Sequence, residues 1–232
     1  MRLYLSSFRM GDRPDRLLAM MDARTAVVIA NALDGDPPDV REQGAQRELA
    51  ALAELGVAAT EVDLRVLGGD WREAAAALAG QGLVWVRGGD VFVLRQALAR
   101  SGADRAVRDL LARDAAVYGG YSAGACVLAP SLRGLELVDD PTRGAAVSGE
   151  PVRWDGLGVL DYSIVPHCQS PGHPETKLCD RLEEHYRKAG VAHRALRDGQ
   201  AIVIDGPTTV LVCSGLARAG EDGGHDPPEH SR

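Results

Sequence analysis

The stretch AAVYGGYSAGACVLAPS (residues 115–131) decides the fold, because it joins an apolar strand, a glycine-rich turn and a run of small residues. Residues 115–118 read as a strand, and the small residues after Ser122 read as the start of a helix. The turn between them has the pattern G-x-S-x-G, with Gly120 and Gly124 on either side of the serine. This pattern presents a nucleophilic serine on a sharp strand-to-helix turn, whereas the alternative is a serine that caps the helix.

Short apolar runs alternate with amphipathic helical stretches on the N-terminal side of this motif. The runs predict strands at residues 3–6, 26–30, 57–64 and 83–87, and helices at residues 40–55, 71–79, 91–100 and 104–113. After residue 130 the pattern is less regular and predicts a strand at 163–165, a helix at 175–188 and a terminal hairpin of 200–204 with 209–213. The alternation predicts an α/β fold with a mostly parallel sheet sandwiched by helices.

Length, composition and charge narrow the class of protein. The 232 residues predict one domain, residues 1–216, followed by a C-terminal tail, residues 217–232, whose lack of periodicity predicts disorder.

A net charge of -7 argues against nucleic acid as a partner. Because no apolar run is long enough for a membrane span or a signal peptide, we expect no membrane association and a cytoplasmic location. The four cysteines lack CxxC spacing, which favours reduced thiols. The sequence leaves open whether the chain forms a homodimer.

A nucleophilic serine needs a general base, for which histidine is the usual residue. The segment IVPHCQSPGHPET (residues 164–176) contains two candidates, His167 and His173. His167 directly follows an apolar strand and a proline, a place where a side chain is held rigidly, and is therefore the predicted base. His173 lies in a loop between Gly172 and Pro174 and remains the alternative.

The acidic member of such a triad orients the imidazole and stabilises its charged form. The segment LELVDDP (residues 135–141) offers Glu136, Asp139 and Asp140. Two aspartates before a proline are also typical of a turn, so the sequence leaves all three carboxylates open.

Acyl transfer also needs two donors for the oxyanion that develops on the substrate carbonyl. One candidate is the N–H of Ala123, directly after the serine. The other is the N–H of Gly89, in the Gly88-Gly89-Asp90 turn that follows the predicted strand 83–87.

Metal and nucleotide sites find little support in the sequence. His167, Cys168, His173, Cys179 and Asp180 do not have the spacing of a compact zinc site. Neither a P-loop nor a dinucleotide-binding motif occurs at a suitable place. We therefore predict no metal and no cofactor.

Four segments in the order VRGGDVFVL, YGGYSAGACVLAPS, LVDDP and IVPH resemble the dipeptidase E family of serine peptidases, peptidase family S51, which also includes the cyanophycinases. The resemblance extends from the N-terminus to about residue 176. It implies a fold similar to class I glutamine amidotransferases, a serine nucleophile in a Ser-His-acid triad, and a short peptide as substrate. At the matching positions it implies Ser122 as nucleophile, His167 as base, Asp139 as acid, and the N–H groups of Gly89 and Ala123 as oxyanion hole.

The residue after the Gly-Gly pair bears on specificity. Family members that cleave after an N-terminal aspartate resemble G-G-N here, whereas this chain has Asp90. A carboxylate at that position would repel an acidic substrate side chain unless Arg87 or Lys177 compensates, so an Asp-X preference stays open. Two other functions remain alternatives, an α/β-hydrolase-type esterase and a non-catalytic binding protein of the same fold.

Overall fold

The computed structural model describes residues 1–214, in which nine strands and eight α-helices alternate. The strands are β1 (Arg2–Ser6), β2 (Thr25–Ile29), β3 (Ala58–Glu61), β4 (Leu83–Val86), β5 (Val117–Tyr121), β6 (Ser163–Val165), β7 (His193–Ala195), β8 (Ala201–Asp205) and β9 (Thr208–Val212). The helices are α1 (Pro14–Met20), α2 (Pro38–Glu54), α3 (Trp71–Leu78), α4 (Val91–Ser101), α5 (Ala103–Ala112), α6 (Ala123–Cys126), α7 (Pro141–Ser148) and α8 (Thr176–Ala189). None of these helices is long and apolar enough to cross a membrane. The predicted tail, residues 217–232, lies outside the described residues.

Seven strands form one sheet in the spatial order β3-β2-β4-β5-β1-β8-β9. The first five strands in this order run parallel, whereas β8 is antiparallel to β1 and β9 is antiparallel to β8. A separate pair, β6 with β7, is parallel. The prediction of a mostly parallel sheet with a terminal hairpin is therefore confirmed.

Helices cover both faces of the sheet, as the near-continuous apolar strands require. In β4, Val84 and Val86 pack into one core together with Leu94 of α4. The alternate residues of the same strand, Leu83 and Trp85, pack into a second core on the opposite face, which includes Leu17 of α1 and Leu52 of α2. Since successive side chains of a strand point to opposite faces, β4 anchors both cores.

The structure differs from the prediction where glycine and short helices weaken the sequence pattern. The strand predicted at residues 115–118 starts two residues later in the structure and ends three residues later, as β5, and it contains the Gly119-Gly120 pair. A side chain at Gly119 would meet the Trp85 ring, because an added Cβ would lie 2.6 Å from Trp85 Cε3. The predicted strand 57–64 ends earlier, at Glu61, and the helices α1 and α7 were not predicted.

Three adjacent strands end at the same edge of the sheet, and the segments that follow them contain the candidate site residues. β4 ends at Val86 before the Gly88-Gly89 turn, and β5 ends at Tyr121 before Ser122. β1, on the other side of β5, ends at Ser6 before Ser7. In parallel α/β sheets, ligands bind outside the carboxyl ends of the strands, so this edge is the expected place of a binding or catalytic site.

Candidate active site

Ser122 lies on a strained turn between β5 and α6. Its φ of 50° is in the left-handed region, which residues other than glycine rarely adopt. Its main-chain oxygen accepts hydrogen bonds from the N–H groups of Ala125 and Cys126, both at 2.9 Å. Its hydroxyl makes no capping hydrogen bond to α6, and Ser122 lines a cavity of about 450 Å³. The serine thus occupies the N-cap position without using its side chain as a cap.

The two glycines that flank the serine permit a close approach of backbone segments. A Cβ added at Gly124 would lie 2.2 Å from the carbonyl oxygen of Val86, in the neighbouring strand β4. A Cβ added at Gly120 would lie 2.9 Å from the carbonyl oxygen of Gly124. The start of α6 therefore packs directly against the ends of β4 and β5, which only glycine allows at these positions.

The Gly88-Gly89 turn packs against the serine turn. A Cβ added at Gly88 would lie 3.0 Å from Ser122 Cβ, and Gly89 has a φ of 147°. Within residues 1–214, neither the N–H of Gly89 nor that of Ala123 donates a hydrogen bond. Two free amide donors therefore lie beside the serine, as an oxyanion hole requires.

His167 is held rigidly at the end of β6. It is 2% exposed and has a φ of 58°, again in the left-handed region. Its main-chain N–H donates to Ser7 Oγ at 2.8 Å, and its Nδ1 lies 2.7 Å from Asp198 Oδ1. Because Nδ1 is engaged by a carboxylate, Nε2 is the ring nitrogen left to exchange protons with a nucleophile or substrate.

The carboxylate that contacts His167 is Asp198, which precedes β8. Ser7 Oγ also donates to Asp198 Oδ1 at 2.8 Å, and the Asp198 main-chain N–H donates to Ser170 Oγ at 2.8 Å. Asp198 is thereby fixed from both β1 and the loop that follows β6. Within residues 1–214, the carboxylate at His167 Nδ1 is thus that of Asp198, and Asp139, the acid that the resemblance implies, makes no hydrogen bond to this imidazole.

The three carboxylates of residues 135–141 have other contacts. Asp139 Oδ2 accepts the N–H of Val91 at 2.9 Å, at the first residue of α4. Glu136 accepts the N–H of Gly134 at 2.5 Å. Asp140 accepts the N–H of Thr142 at 2.9 Å and so caps α7, as the turn-forming alternative predicts.

His173, the alternative base, stacks on His167. The two rings are 3.6 Å apart and inclined by 3°. Burial lowers the pKa of His167, the hydrogen bond to the Asp198 carboxylate raises it, and the neighbouring His173 lowers it. The net effect is a pKa below the ordinary value, which keeps the imidazole neutral and able to accept a proton at neutral pH.

His167, His173 and Glu175 each place a possible metal-ligand atom within 4.8 Å of the others. Imidazole binds a metal through a nitrogen lone pair in the ring plane. Because the two rings are stacked in parallel planes 3.6 Å apart, one ion could not lie in both planes. The arrangement therefore fits ring stacking and not joint coordination of a metal.

The predicted specificity residues differ in their relation to the cavity. Arg87 lines it, with Nη1 donating to the Gly88 carbonyl at 2.7 Å and Nε 3.4 Å from Glu48 Oε1. Asp90 also lines it, but its Oδ1 accepts the N–H groups of Phe92 and Val93 and so caps α4.

Lys177 does not line the cavity. It is exposed on the first turn of α8, and its contact with substrate stays a prediction. Two arginines that the sequence analysis did not single out, Arg9 and Arg47, do line the cavity. Their side chains make no ion pair within residues 1–214.

The chain is similar to known peptidases in its family model, its sequence and its fold. Residues 40–212, more than half of the chain, match the family model of peptidase family S51. A "Peptidase E" of Streptomyces coelicolor is 31% identical over 195 residues, which cover 82% of this chain and 71% of that protein. An uncharacterized peptidase of Listeria innocua is 28% identical over 154 residues, 66% of this chain and 69% of that protein.

Two crystal structures have the same fold. One is a Listeria monocytogenes EGD-e protein provisionally assigned as a peptidase E, with a TM-score of 0.75, 22% identity and coverage of 91% of this chain and 98% of that one. The other is a peptidase from an acI-B1 actinobacterium, with a TM-score of 0.64, 15% identity and coverage of 92% and 87%.

Proposed function

The chain belongs to peptidase family S51 and is a peptidase, and we propose that it is a serine exopeptidase that hydrolyses short peptides through an acyl-enzyme on Ser122. One observation carries this proposal. An uncapped serine hydroxyl on a strained turn and a buried imidazole, that of His167, line the same cavity of about 450 Å³, and Asp198 holds the imidazole through Nδ1. The two free N–H groups beside the serine support it further.

In the proposed mechanism, His167 Nε2 takes the proton of Ser122 as Oγ attacks the peptide carbonyl. The N–H groups of Gly89 and Ala123 bind the oxyanion of the tetrahedral intermediate, and Asp198 stabilises the imidazolium. His167 then protonates the leaving amine, which departs and leaves an ester on Ser122. Water, activated by the same histidine, attacks this ester and releases the acid product.

The chain order of these residues separates the proposal from the esterase alternative. In α/β-hydrolases the order is serine, acid, histidine. Here the histidine precedes the acid, because Asp198 follows His167 by 31 positions. The proposed triad therefore does not match the order of that class, although the G-x-S-x-G turn is shared.

The substrate that we propose is a short peptide with an acidic residue at its N-terminus. The cavity is lined by Arg9 and Arg47, which have no ion pair within residues 1–214, and the Asp90 carboxylate is occupied by the α4 amides. The guanidinium of Arg143 further offsets the negative charge of Asp90, because its Nη1 lies 3.8 Å from Asp90 Oδ2. The repulsion expected of Asp90 is thus reduced, which supports an Asp-X preference.

We place this activity in the cytoplasm. The thiols of Cys126, Cys168 and Cys179 are buried and free, as is common in a reducing compartment. Burial raises the pKa of the Cys126 thiol, so it favours the unreactive protonated form.

The test compares hydrolysis of Asp-Leu, Asn-Leu and Ala-Leu by the wild-type chain and by two variants. Ser122→Ala should abolish turnover. Asp198→Asn should lower kcat by about 10³–10⁴-fold, because the wrong imidazole tautomer is then favoured. The proposal would be contradicted if the wild-type chain hydrolysed neither these dipeptides nor any peptide of greater length. Equal rates on the three dipeptides would contradict only the Asp-X preference.

A further inference from the structure

The first three amides of α4 are held by two carboxylates from different parts of the chain. Asp90, the residue before the helix, accepts the N–H groups of Phe92 at 2.9 Å and Val93 at 3.0 Å. Asp139, 48 positions after Val91, accepts the N–H of Val91 at 2.9 Å. An N-terminal helix amide usually finds its partner within the preceding residues, so a distant carboxylate at this position calls for an explanation.

The turn held in this way carries one of the proposed oxyanion donors. Gly89 lies two residues before Val91 and has a φ of 147°. Before Gly89, strand β4 fixes the chain. Directly after Gly89, the N–H of Asp90 donates to the carbonyl of Ala32 at 3.1 Å. The next amide along, that of Val91, is the one that Asp139 holds. The Gly89 peptide is therefore confined between the strand and two successive hydrogen bonds.

Asp139 is itself well anchored and lies close to the serine turn. Its N–H donates to the carbonyl of Leu135 at 2.9 Å, and the next residue caps α7. Asp139 lines the cavity of about 450 Å³ together with Ser122, and a smaller cavity of about 20 Å³ together with Ser122 and Ala123. The Asp139 side chain thus extends from the segment before α7 to the place where the Gly88-Gly89 turn meets the Ser122 turn.

We propose that Asp139 is a positioning residue, whose carboxylate holds the first amide of α4 so that the Gly89 N–H stays in place for the oxyanion. This inference rests on the proposed function of the site. It assigns Asp139 a part in transition-state binding and none in orienting His167, whose Nδ1 is already engaged by Asp198.

The nature of the side chain supports this role. The pKa of Asp139 is raised to about 7, chiefly by burial and also by the nearby charges of Asp90 and Glu175, which together outweigh the lowering by the Val91 hydrogen bond and Arg143. A carboxyl group retains an oxygen that can accept the Val91 N–H in either protonation state. A triad carboxylate, in contrast, must be ionised to stabilise an imidazolium. The asparagine side chain offers the same acceptor without the charge, which makes it the decisive replacement.

The experiment compares Asp139→Ala, Asp139→Asn and Asp198→Asn in the full chain, with an Asp-Leu substrate and an aspartyl aldehyde as transition-state analogue. Asp139→Ala should lower kcat by about 10–100-fold, a part of the 10²–10³-fold lost when an oxyanion donor is removed, with little change in KM. Its affinity for the aldehyde should fall by a similar factor. Asp139→Asn should restore most of both, whereas Asp198→Asn should not.

Asp140→Ala is the matched control, because it removes the adjacent cap of α7 without touching α4. It should lower the melting temperature and leave kcat/KM and aldehyde affinity near the wild-type values. A loss of activity in Asp139→Asn as large as that in Asp198→Asn would overturn the proposal, as would wild-type kcat and aldehyde affinity in Asp139→Ala.

A readout that does not depend on turnover separates this inference from the proposed function. In ¹⁵N-resolved NMR spectra, Asp139→Ala should shift the amide resonances of Gly89 and Val91, and Asp139→Asn should leave the Gly89 resonance close to its wild-type position. An unshifted Gly89 amide in Asp139→Ala would overturn the positioning role even if the chain proved inactive on peptides.

Discussion

At the scale of single residues, the environment of the proposed base sets its protonation. The His167 ring is stacked on His173, and the Phe8 ring contacts both edge-on, at centroid distances of 5.9 Å and 5.4 Å. These rings exclude water from the imidazole, which disfavours its charged form. A base of this kind remains neutral, and hence active, at a lower pH than a solvated histidine.

Replacing His173 by glutamine should therefore move the acidic limb of the pH profile of kcat/KM to higher pH. The substitution removes a neighbour that lowers the pKa of His167, and it admits water, which favours the imidazolium. As pH falls, His167 would be protonated earlier and activity lost earlier. His185→Gln, at an exposed position of α8, is the control and should leave the profile unchanged. An acidic limb that stays in place, or moves to lower pH, in His173→Gln would refute this account.

The sequence revealed those site residues that sit in short motifs next to strand ends. Ser122 and Gly89 follow the apolar runs of β5 and β4, which are neighbours in the main sheet, so their placement at one sheet edge could be predicted, whereas His167 follows β6 of the separate pair. Asp198 could not be predicted, because Asp198-Gly199 reads as an ordinary turn and lies outside the segment between the serine and the histidine that offers the candidate acids. The signal that could have found it is the pairing of β8 with β1, which brings the start of β8 beside Ser7.

At the scale of secondary-structure elements, the site depends on how closely α6 packs on the sheet. Gly124→Ala should destabilise the fold by about 1–3 kcal/mol, as overpacking does, and should also lower kcat. The added Cβ would lie 2.2 Å from the Val86 carbonyl oxygen, so α6 and the Ser122 turn must move.

Chemical denaturation and steady-state kinetics check this prediction, with Gly68→Ala as control. At Gly68 the added Cβ would lie 3.2 Å from Glu73 Oε2, the end of a flexible side chain that can give way. Equal stability and activity in the two variants would show that the close packing of α6 is not required.

Most elements were predicted close to their bounds, and two short helices were not predicted. The apolar strands β1, β2 and β4 and the long helix α2 lie within two or three residues of their predicted bounds. The short helices α1 and α7 were not predicted, whereas the equally short α3 was, because its sequence is rich in alanine, the residue with the highest helix propensity. Glycines in β5 have low strand propensity, but the Trp85 ring fills the space that side chains would need.

At the scale of the whole molecule, we propose that residues 1–216 form the complete folding unit. β9 closes the sheet at Val212, and the Ser214 hydroxyl donates to Asp12 at 2.6 Å. A chain that ends at residue 216 should therefore keep the melting temperature of the full chain within about 2 °C, and keep its kcat/KM.

A chain that ends at residue 206 is the matched control for this truncation. It lacks β9, which leaves β8 as an unprotected edge and exposes the core residues that β9 covers. This shorter chain should unfold at a clearly lower temperature. A large drop in melting temperature already at residue 216 would show that the remaining residues belong to the folding unit.

The central claim is that Ser122 is a nucleophile activated by His167. The most direct measurement is mass spectrometry of the folded chain after reaction with a fluorophosphonate, which labels activated serines. We predict one adduct per chain, located on Ser122, absent in Ser122→Ala and strongly slowed in His167→Ala. A folded wild-type chain that takes up no label, or takes it up equally in Ser122→Ala, would contradict the account and favour a non-catalytic binding protein.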